Sequence, residues 1–404
     1  MQIDHAIWWQ IYPLGALGAP IRNWENTPGV AAPRLRKIAP WLDYAVNLGC
    51  NGILLAPIFQ SSTHGYDTTD YFQIDPRLGN NSDFDWLINQ ATARGLAVIL
   101  DGVFNHVGVQ HPLAQAAQAG ESDLVLMGAD GWPQHWEGNL DLAELDHQNP
   151  AVADLVVEVM EYWLARGIAG WRLDVAYAVP VEFWAQVIDR VRENYPHAVF
   201  LGEMIHGDYP DLIERGHLDT VTQYELWKAI WSSIKDRNFY ELDHALRRHQ
   251  EFSDRGLMQI FVGNHDVSRI ASTLGDAGAA LAATILFTLP GLPSVYQGDE
   301  QAFRGEKGSE EWADDALRTP LPDTPEELSD LGWWMFQTYQ KLIGARRRHP
   351  WLTRATVTVT AVANEELQYL VTGQDGEELQ VSISISAGYS ATLTFADEEL
   401  AIQF

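Results

Sequence analysis

Between Gly170 and Glu203 the chain reads GWRLDVAYAVPVEFWAQVIDRVRENYPHAVFLGE, and few folds accommodate such a stretch. Trp171, Leu173 and Val175 form a short apolar run that ends around Asp174. Pro180 suits the first turn of a helix. Phe183, Val187 and Val191, with Trp184 and Ile188 beside them, then repeat at helical spacing and predict one buried face. Pro196 stops that helix, and residues 198–201 form a second apolar run leading to Glu203. Asp174 and Glu203 are about 30 residues apart, the length of one βαβ unit. Two parallel strands joined this way carry both carboxylates to the same edge of a sheet, where such folds place their active sites.

The pattern recurs along the chain. Apolar runs at 7–12, 51–58, 96–100, 220–224, 258–262 and 293–296 read as further strands, several continuous enough to be buried on both faces. Helical periodicity at 35–48, 84–93, 239–249, 279–289 and 333–348 falls between or after them. Eight strand candidates alternating with helices predict an α/β fold, a (β/α)₈ TIM barrel, over residues 1–350. Asp101 and Asp174 are 73 positions apart, far more than a βα unit needs, so residues 108–145 are expected to form an insertion after the third strand. Beyond Pro350 the period changes to two, at Val357 and Val359 and then Val381, Ile383 and Ile385, with Asp375-Gly376 as a hairpin turn. Residues 351–404 therefore read as a small C-terminal antiparallel β domain.

Charge and composition narrow the partners. A net charge of −29 opposes nucleic acid, anionic membranes and polyanionic substrates. No apolar run approaches membrane-spanning length, and the N-terminus lacks the basic and apolar regions of a signal peptide. Cys50 is the only cysteine, so no internal disulfide forms and a reducing, cytoplasmic setting is expected. The 16 tryptophans fit core packing or stacking against the apolar faces of neutral sugars.

Asp101, Asp174, Glu203 and Asp266 each close a predicted strand, at what would be one rim of the barrel. A lone strand-end aspartate is ordinarily a helix cap or turn residue. Four on four strands, two with a histidine nearby (His106, His265), fit paired-carboxylate chemistry better. Facing carboxylates push their pKa values apart and divide nucleophile and acid roles, as glycosidic bond cleavage requires.

The motifs carrying these residues resemble those of glycoside hydrolase family 13, the α-amylase family. DGVFNH (101–106), GWRLDVA (170–176), LGEM (201–204) and FVGNHD (261–266) are similar to its four motifs, in order. HGYDTTDY (64–71) and GLPSVYQGDE (291–300) resemble its loop after the second strand and its last strand. Glu203 followed by His206, with Phe183-Trp184 in the intervening helix, is most similar to the neopullulanase and cyclomaltodextrinase group.

The resemblance implies that Asp174 is the nucleophile, Glu203 the general acid/base, and Asp266 the grip on two ring hydroxyls. Arg172 would orient Asp174 and hold its pKa low, with Asp101 supporting Arg172. His106 and His265 would donate to sugar hydroxyls, and Tyr66 would floor the cleavage subsite. His64 and Arg269 are candidate substrate contacts, as are Trp132 and Trp136 in the insertion and the charged loop 306–315. Tyr177-Ala178 stands where the group usually has Asn-Glu, and Ile205 where it usually has Trp. Tyr177 and Ile205 are therefore candidates for choosing the substrate on the leaving-group side. Glu144 replaces an aspartate that binds calcium in many relatives, which disfavours calcium although Asn105 remains, and no other cofactor is expected.

The reading that results is a retaining hydrolase of α-1,4-glucosidic bonds in small linear or cyclic maltooligosaccharides, cyclic maltosyl-maltose among them. A transglycosylase using the same glycosyl-enzyme is the alternative. A non-catalytic carbohydrate-binding relative would have lost a catalytic carboxylate, and none of the three is missing. A homodimer is compatible with the sequence.

Overall fold

The computed structural model describes residues 3–24, 30–309 and 313–403. Its centre is a closed barrel of eight parallel strands: β1 (Trp8–Ile11), β2 (Gly52–Leu55), β3 (Ala97–Gly102), β4 (Gly170–Leu173), β5 (Val199–Gly202), β6 (Thr220–Thr222), β7 (Leu257–Phe261) and β8 (Leu292–Tyr296). Neighbours follow chain order, and β1 closes the ring by pairing with both β2 and β8. Every strand residue but Ala97, at the start of β3, is buried, as the continuous apolar runs demanded. Trp8, Leu54, Ile99, Leu201, Leu257 and Leu292, one from each of six strands, pack together inside the barrel as a floor. Trp8 lies so close over β2 that a Cβ on Gly52 would come within 2.3 Å of its ring. Above that floor the inward positions turn polar: Gln10, Asp101, Arg172, Glu203 and Gln259 are all buried.

Three segments differ from expectation. Residues 220–224 are not one strand: β6 ends at Thr222, and Tyr224 opens a helix, Tyr224–Lys235, that buries Leu226, Ile230 and Ile234. Pro180 stands one residue before the helix Val181–Asn194, capping its start rather than lying in its first turn. The helix expected at 279–289 runs Ile270–Thr288, interrupted at Gly275 (φ 72°). By length and composition it could cross a membrane, but 67% of its apolar window is buried in the protein, where it walls the barrel.

Two excursions build the rim. Strands Phe59–Ser61 and Thr68–Ile74 pair antiparallel and carry His64 and Tyr66 in the loop between them. His106–Gly108 pairs antiparallel with Leu142–Glu144, fastening both ends of the insertion. Thr356–Val362, Glu366–Thr372, Glu378–Ser384, Ser390–Phe395 and Glu399–Gln403 form a five-stranded antiparallel sheet. Gly376, at φ 88°, makes the expected hairpin turn. The sheet meets the barrel's outer layer where Tyr369 Oη and Thr288 Oγ1 lie 2.5 Å apart.

Candidate active site

The polar layer above the floor converges on Arg172. Its Nη1 donates to both oxygens of Asp101 at 2.8 Å and to Asp174 Oδ1 at 2.9 Å. Its Nη2 lies 2.5 Å from Glu203 Oε1. One buried guanidinium thus touches three carboxylates, on β3 and just past β4 and β5. The backbone N–H of Val175 donates to Glu203 Oε2 at 3.0 Å, and Tyr224 Oη donates to Oε1 at 3.3 Å. Val175 holds a φ of 49°, a left-handed conformation rarely adopted by a β-branched residue.

Asp266 faces this cluster from the loop after β7. Arg318 Nη2 lies 3.2 Å from its Oδ1, and His265 Nε2 lies 3.1 Å from its Oδ2. The His265 ring stacks on Tyr12, centroids 5.8 Å apart, and lies edge to edge with Tyr66, nearly coplanar with it at 5.6 Å. Tyr66 Oη donates to Asp101 at 3.1 Å and also hydrogen-bonds His265 Nε2. His106 lies 3.2 Å from the Tyr66 carbonyl and stacks on Trp136. A cavity of about 450 Å³ opens over these groups, lined by His64, Tyr66, His106, Trp136, Asp174, Asp266 and Arg318, with Lys307, Asp314 and Asp315 at its edge.

Burial dominates the electrostatics. It pushes Asp174 up to about 7 despite the opposing Arg172 charge, with Asp101 and Asp266 adding repulsion. The expectation that Arg172 keeps Asp174 low is therefore corrected: one cation shared among three buried carboxylates does not offset their desolvation. Glu203 also rises to about 7, by burial first, against Arg172 and with Asp174 and Asp266. Burial raises Asp101 to about 6. Asp266 goes the other way: desolvation pulls it up, but His265 when protonated, Arg318, Arg172 and Lys307 together hold it below its ordinary value. Burial lowers His106 to about 4 and His265 to about 3, so both imidazoles are neutral near pH 7.

The remaining candidates divide. His64 lines the cavity and accepts the Tyr66 N–H at 3.2 Å. Tyr177 is half-buried at its margin, edge-on to Trp136 and 5.3 Å from the His206 ring. Ile205 is 43% exposed beyond them, and Trp132, 57% exposed, stands outside the lining. Arg269 is not a substrate contact: it is 1% exposed, ion-paired to buried Asp299 at 2.9 Å and stacked 4.0 Å over Tyr296. Of the loop 306–315, residues 310–312 lie outside the described residues, while Lys307, Asp314 and Asp315 reach the cavity. Among the described residues no three His, Cys, Asp or Glu side chains form a metal-sized cluster.

Four site residues escaped sequence reasoning. Arg318 sits 22 positions past Tyr296, in a loop with no periodicity to place it. Gln10, whose amide lies 3.2 Å from His265 Nδ1, and Tyr12 belong to a run that by sequence is simply strand. Tyr224 by sequence is a strand end. The inward alternation of β1 could have flagged Gln10, a lone amide in an apolar run.

Residues 22–124 and 136–324 match the alpha-amylase catalytic domain. The chain belongs to the α-amylase family of glycoside hydrolases. It is 31% identical to a cyclomaltodextrinase of Thermoanaerobacter pseudethanolicus over 83% of this chain, and it spans 58% of that relative's length. A debranching enzyme of Nostoc punctiforme superposes with a TM-score of 0.81 at 28% identity, covering 96% of this chain and 89% of that one. The cyclic α-maltosyl-(1→6)-maltose hydrolase of Arthrobacter globiformis superposes with a TM-score of 0.83, covering 99% and 97%; at 24% identity this is a likeness of fold.

Proposed function

We propose that this family member is a retaining hydrolase of α-1,4-glucosidic bonds in short linear or cyclic maltooligosaccharides. The observation that carries the reading is Arg172 in contact with both Asp174 and Glu203, at 2.9 and 2.5 Å, with Asp266 facing them. In the first step an Asp174 oxygen forms a bond to the anomeric carbon as the glycosidic C–O bond breaks, and Glu203 gives its proton to the departing oxygen. In the second, water gives a proton to Glu203 and its oxygen bonds to the anomeric carbon, freeing Asp174. Asp266 accepts ring hydroxyls, Tyr66 and Trp136 offer apolar faces, and His106 lines the sugar's cavity, while His265, fully buried with its ring nitrogens engaged by Gln10, Tyr66 and Asp266, positions Asp266 rather than touching the sugar. No step needs a cofactor.

The cavity of about 450 Å³ over Asp174 and Asp266 has room for a few glucosyl units. Cyclic maltosyl-maltose belongs on the test panel for that reason, since it is compact and carries both α-1,4 and α-1,6 bonds. The test is a panel of linear, branched and cyclic glucans with anomer and product size followed by NMR. Products that first appear as the α-anomer and are shorter than the substrate are expected. First-formed β-anomers would overturn retention, and products longer than a pure maltotriose substrate would favour the transglycosylase.

A further inference from the structure

We propose, resting on the reading of Glu203 as the acid/base, that Tyr224 and Asn264 are positioning residues that keep Glu203 Oε1 occupied and place its transferable proton on Oε2. The two oxygens of this carboxyl stand in different surroundings. Oε1 faces the Arg172 guanidinium at 2.5 Å and accepts from Tyr224 Oη at 3.3 Å. Among the described residues, Oε2 accepts only the N–H of Val175, at 3.0 Å. A carboxylate oxygen has two lone pairs. A proton on Oε1 would point into a cation and displace a donor, whereas Oε2 keeps one lone pair free.

Tyr224 can donate to Glu203 only if its own oxygen is not donating elsewhere. Asn264 ensures this: its Nδ2 donates to Tyr224 Oη at 2.7 Å. The amide is not free to flip, because its Oδ1 accepts the Asp266 N–H at 2.9 Å. Donors therefore run in one direction, from Asn264 to Tyr224 to Glu203 Oε1. The phenol ring is itself fixed edge-on against Phe261 and Trp227. On the other side, the left-handed backbone at Val175 aims its N–H at Oε2 directly after Asp174, so the nucleophile's own loop holds the acid. Neither Tyr224 nor Asn264 needs to touch substrate for this.

The charged and titratable groups around Glu203 are Arg172 and Asp174 from β4 and its loop, Asp101 from β3, Asp266 from the β7 loop, Tyr177, and Tyr224 itself. Of these, Tyr224→Phe removes no charge and two hydrogen bonds, the one given to Glu203 Oε1 and the one received from Asn264 Nδ2. Donation to a carboxylate favours its charged form, so its removal raises the acid's pKa. It also frees Oε1 to compete for the proton.

The experiment compares maltotriose, whose leaving group needs a proton, with α-maltosyl fluoride, whose leaving group does not. For Tyr224→Phe, kcat/KM on maltotriose is expected to fall about ten- to a hundredfold, the range of a general-acid contribution at its low end. The fall on the fluoride is expected to be several-fold smaller, and the alkaline limb on maltotriose to move up by about half a pH unit. Asn264→Ala also disturbs the Asp266 loop, which affects both substrates, so the ratio of the two losses isolates the relay. That ratio is expected to be no larger in the double variant than in Tyr224→Phe alone. Equal losses on both substrates with an unmoved limb, or ratios that multiply in the double variant, overturn the relay. Glu203→Gln on the same pair tests the underlying reading separately: a loss confined to maltotriose supports it, and an equal loss on both removes Glu203 as the acid.

Discussion

Arg318 holds Asp266 in an ion pair, Nη2 to Oδ1 at 3.2 Å, from a loop beyond the last barrel strand. The same guanidinium lies 4.4 Å over the Tyr12 ring, which stacks on His265, so the pair is fixed by aromatic packing as well as charge. It keeps Asp266 ionised where desolvation would protonate it. Arg318→Gln should therefore raise the pKa of Asp266, so that the acid flank of kcat/KM, already falling as the Asp174–Glu203 pair protonates, steepens at a higher pH. We expect kcat/KM at its optimum to drop by at least an order of magnitude. Arg318→Lys should restore the shape of the acid flank better than the rate, since lysine keeps the charge but loses the planar fork. An acid flank of unchanged shape in Arg318→Gln would show that Asp266 is not held ionised by this contact.

Asp174 and Glu203 both sit at about 7, and they must carry opposite protonation states for the first step. Their titrations belong to the pair, which shares Arg172. The rate should rise as one carboxyl ionises and fall as the second does, giving a narrow bell in kcat/KM centred near neutrality. Glu203→Gln should erase the alkaline limb with an activated aryl glycoside. Asp174→Asn should lose several orders of magnitude in turnover while still binding substrate. A broad plateau from pH 4 to 9 in the unmodified enzyme would contradict the coupled pair.

Arg269 offers a contrast, because its role is structural. It and Asp299 are both about 1% exposed, and Arg269→Met leaves a buried carboxylate without its cation. Breaking such a pair from one side costs about 3–5 kcal/mol. Urea unfolding should show a loss of that order, while kcat/KM per folded molecule stays within about twofold at a temperature where the variant is folded. A large KM change without a stability change would return Arg269 to the substrate-binding set.

The barrel was legible because strands buried on both faces read as unbroken apolar runs, and the carboxylates stand where those runs stop. Asp101, Arg172, Asp174 and Glu203 come together through strand register alone, which local sequence encodes: Asp101 pairs with Arg172 across β3 and β4. Arg318 and Arg269 show where such reading ends. Arg269 lies four residues after His265, a spacing that suggests a shared face, yet the chain turns there and buries it on Asp299. Arg318 reaches the site only because the loop folds back over Tyr12, a contact between residues some three hundred positions apart. Tyr224 was misplaced for a different reason: aromatic and β-branched neighbours favour strand locally, and burial of the following helical stripe overrides that preference.

Glu300 is a buried acid with no cation in contact among the described residues. It follows β8, is 1% exposed, and accepts from Tyr44 Oη at 2.9 Å and from the Gly298 N–H at 3.0 Å. Burial raises it to about 7, with hydrogen bonds from its own backbone N–H, Tyr44 and Gly298 opposing and the Asp299 charge adding to the rise. Between its unfolded value near 4.5 and its folded value near 7, the folded state binds the extra proton. Stability therefore falls as pH rises through that window and is level above it. Glutamine mimics the protonated form: its carbonyl can accept the Gly298 N–H while its amide donates to Tyr44 Oη, which also accepts from Gln301 at 2.8 Å. Glu300→Gln should thus leave stability nearly unchanged near pH 4 and raise it above pH 7, by on the order of 2–3 kcal/mol for a shift of this size. Urea midpoints measured at pH 5, 6, 7 and 8 test the sign. A gain that shrinks with rising pH would mean that Glu300 is ionised in the folded protein and stabilised by its two donors.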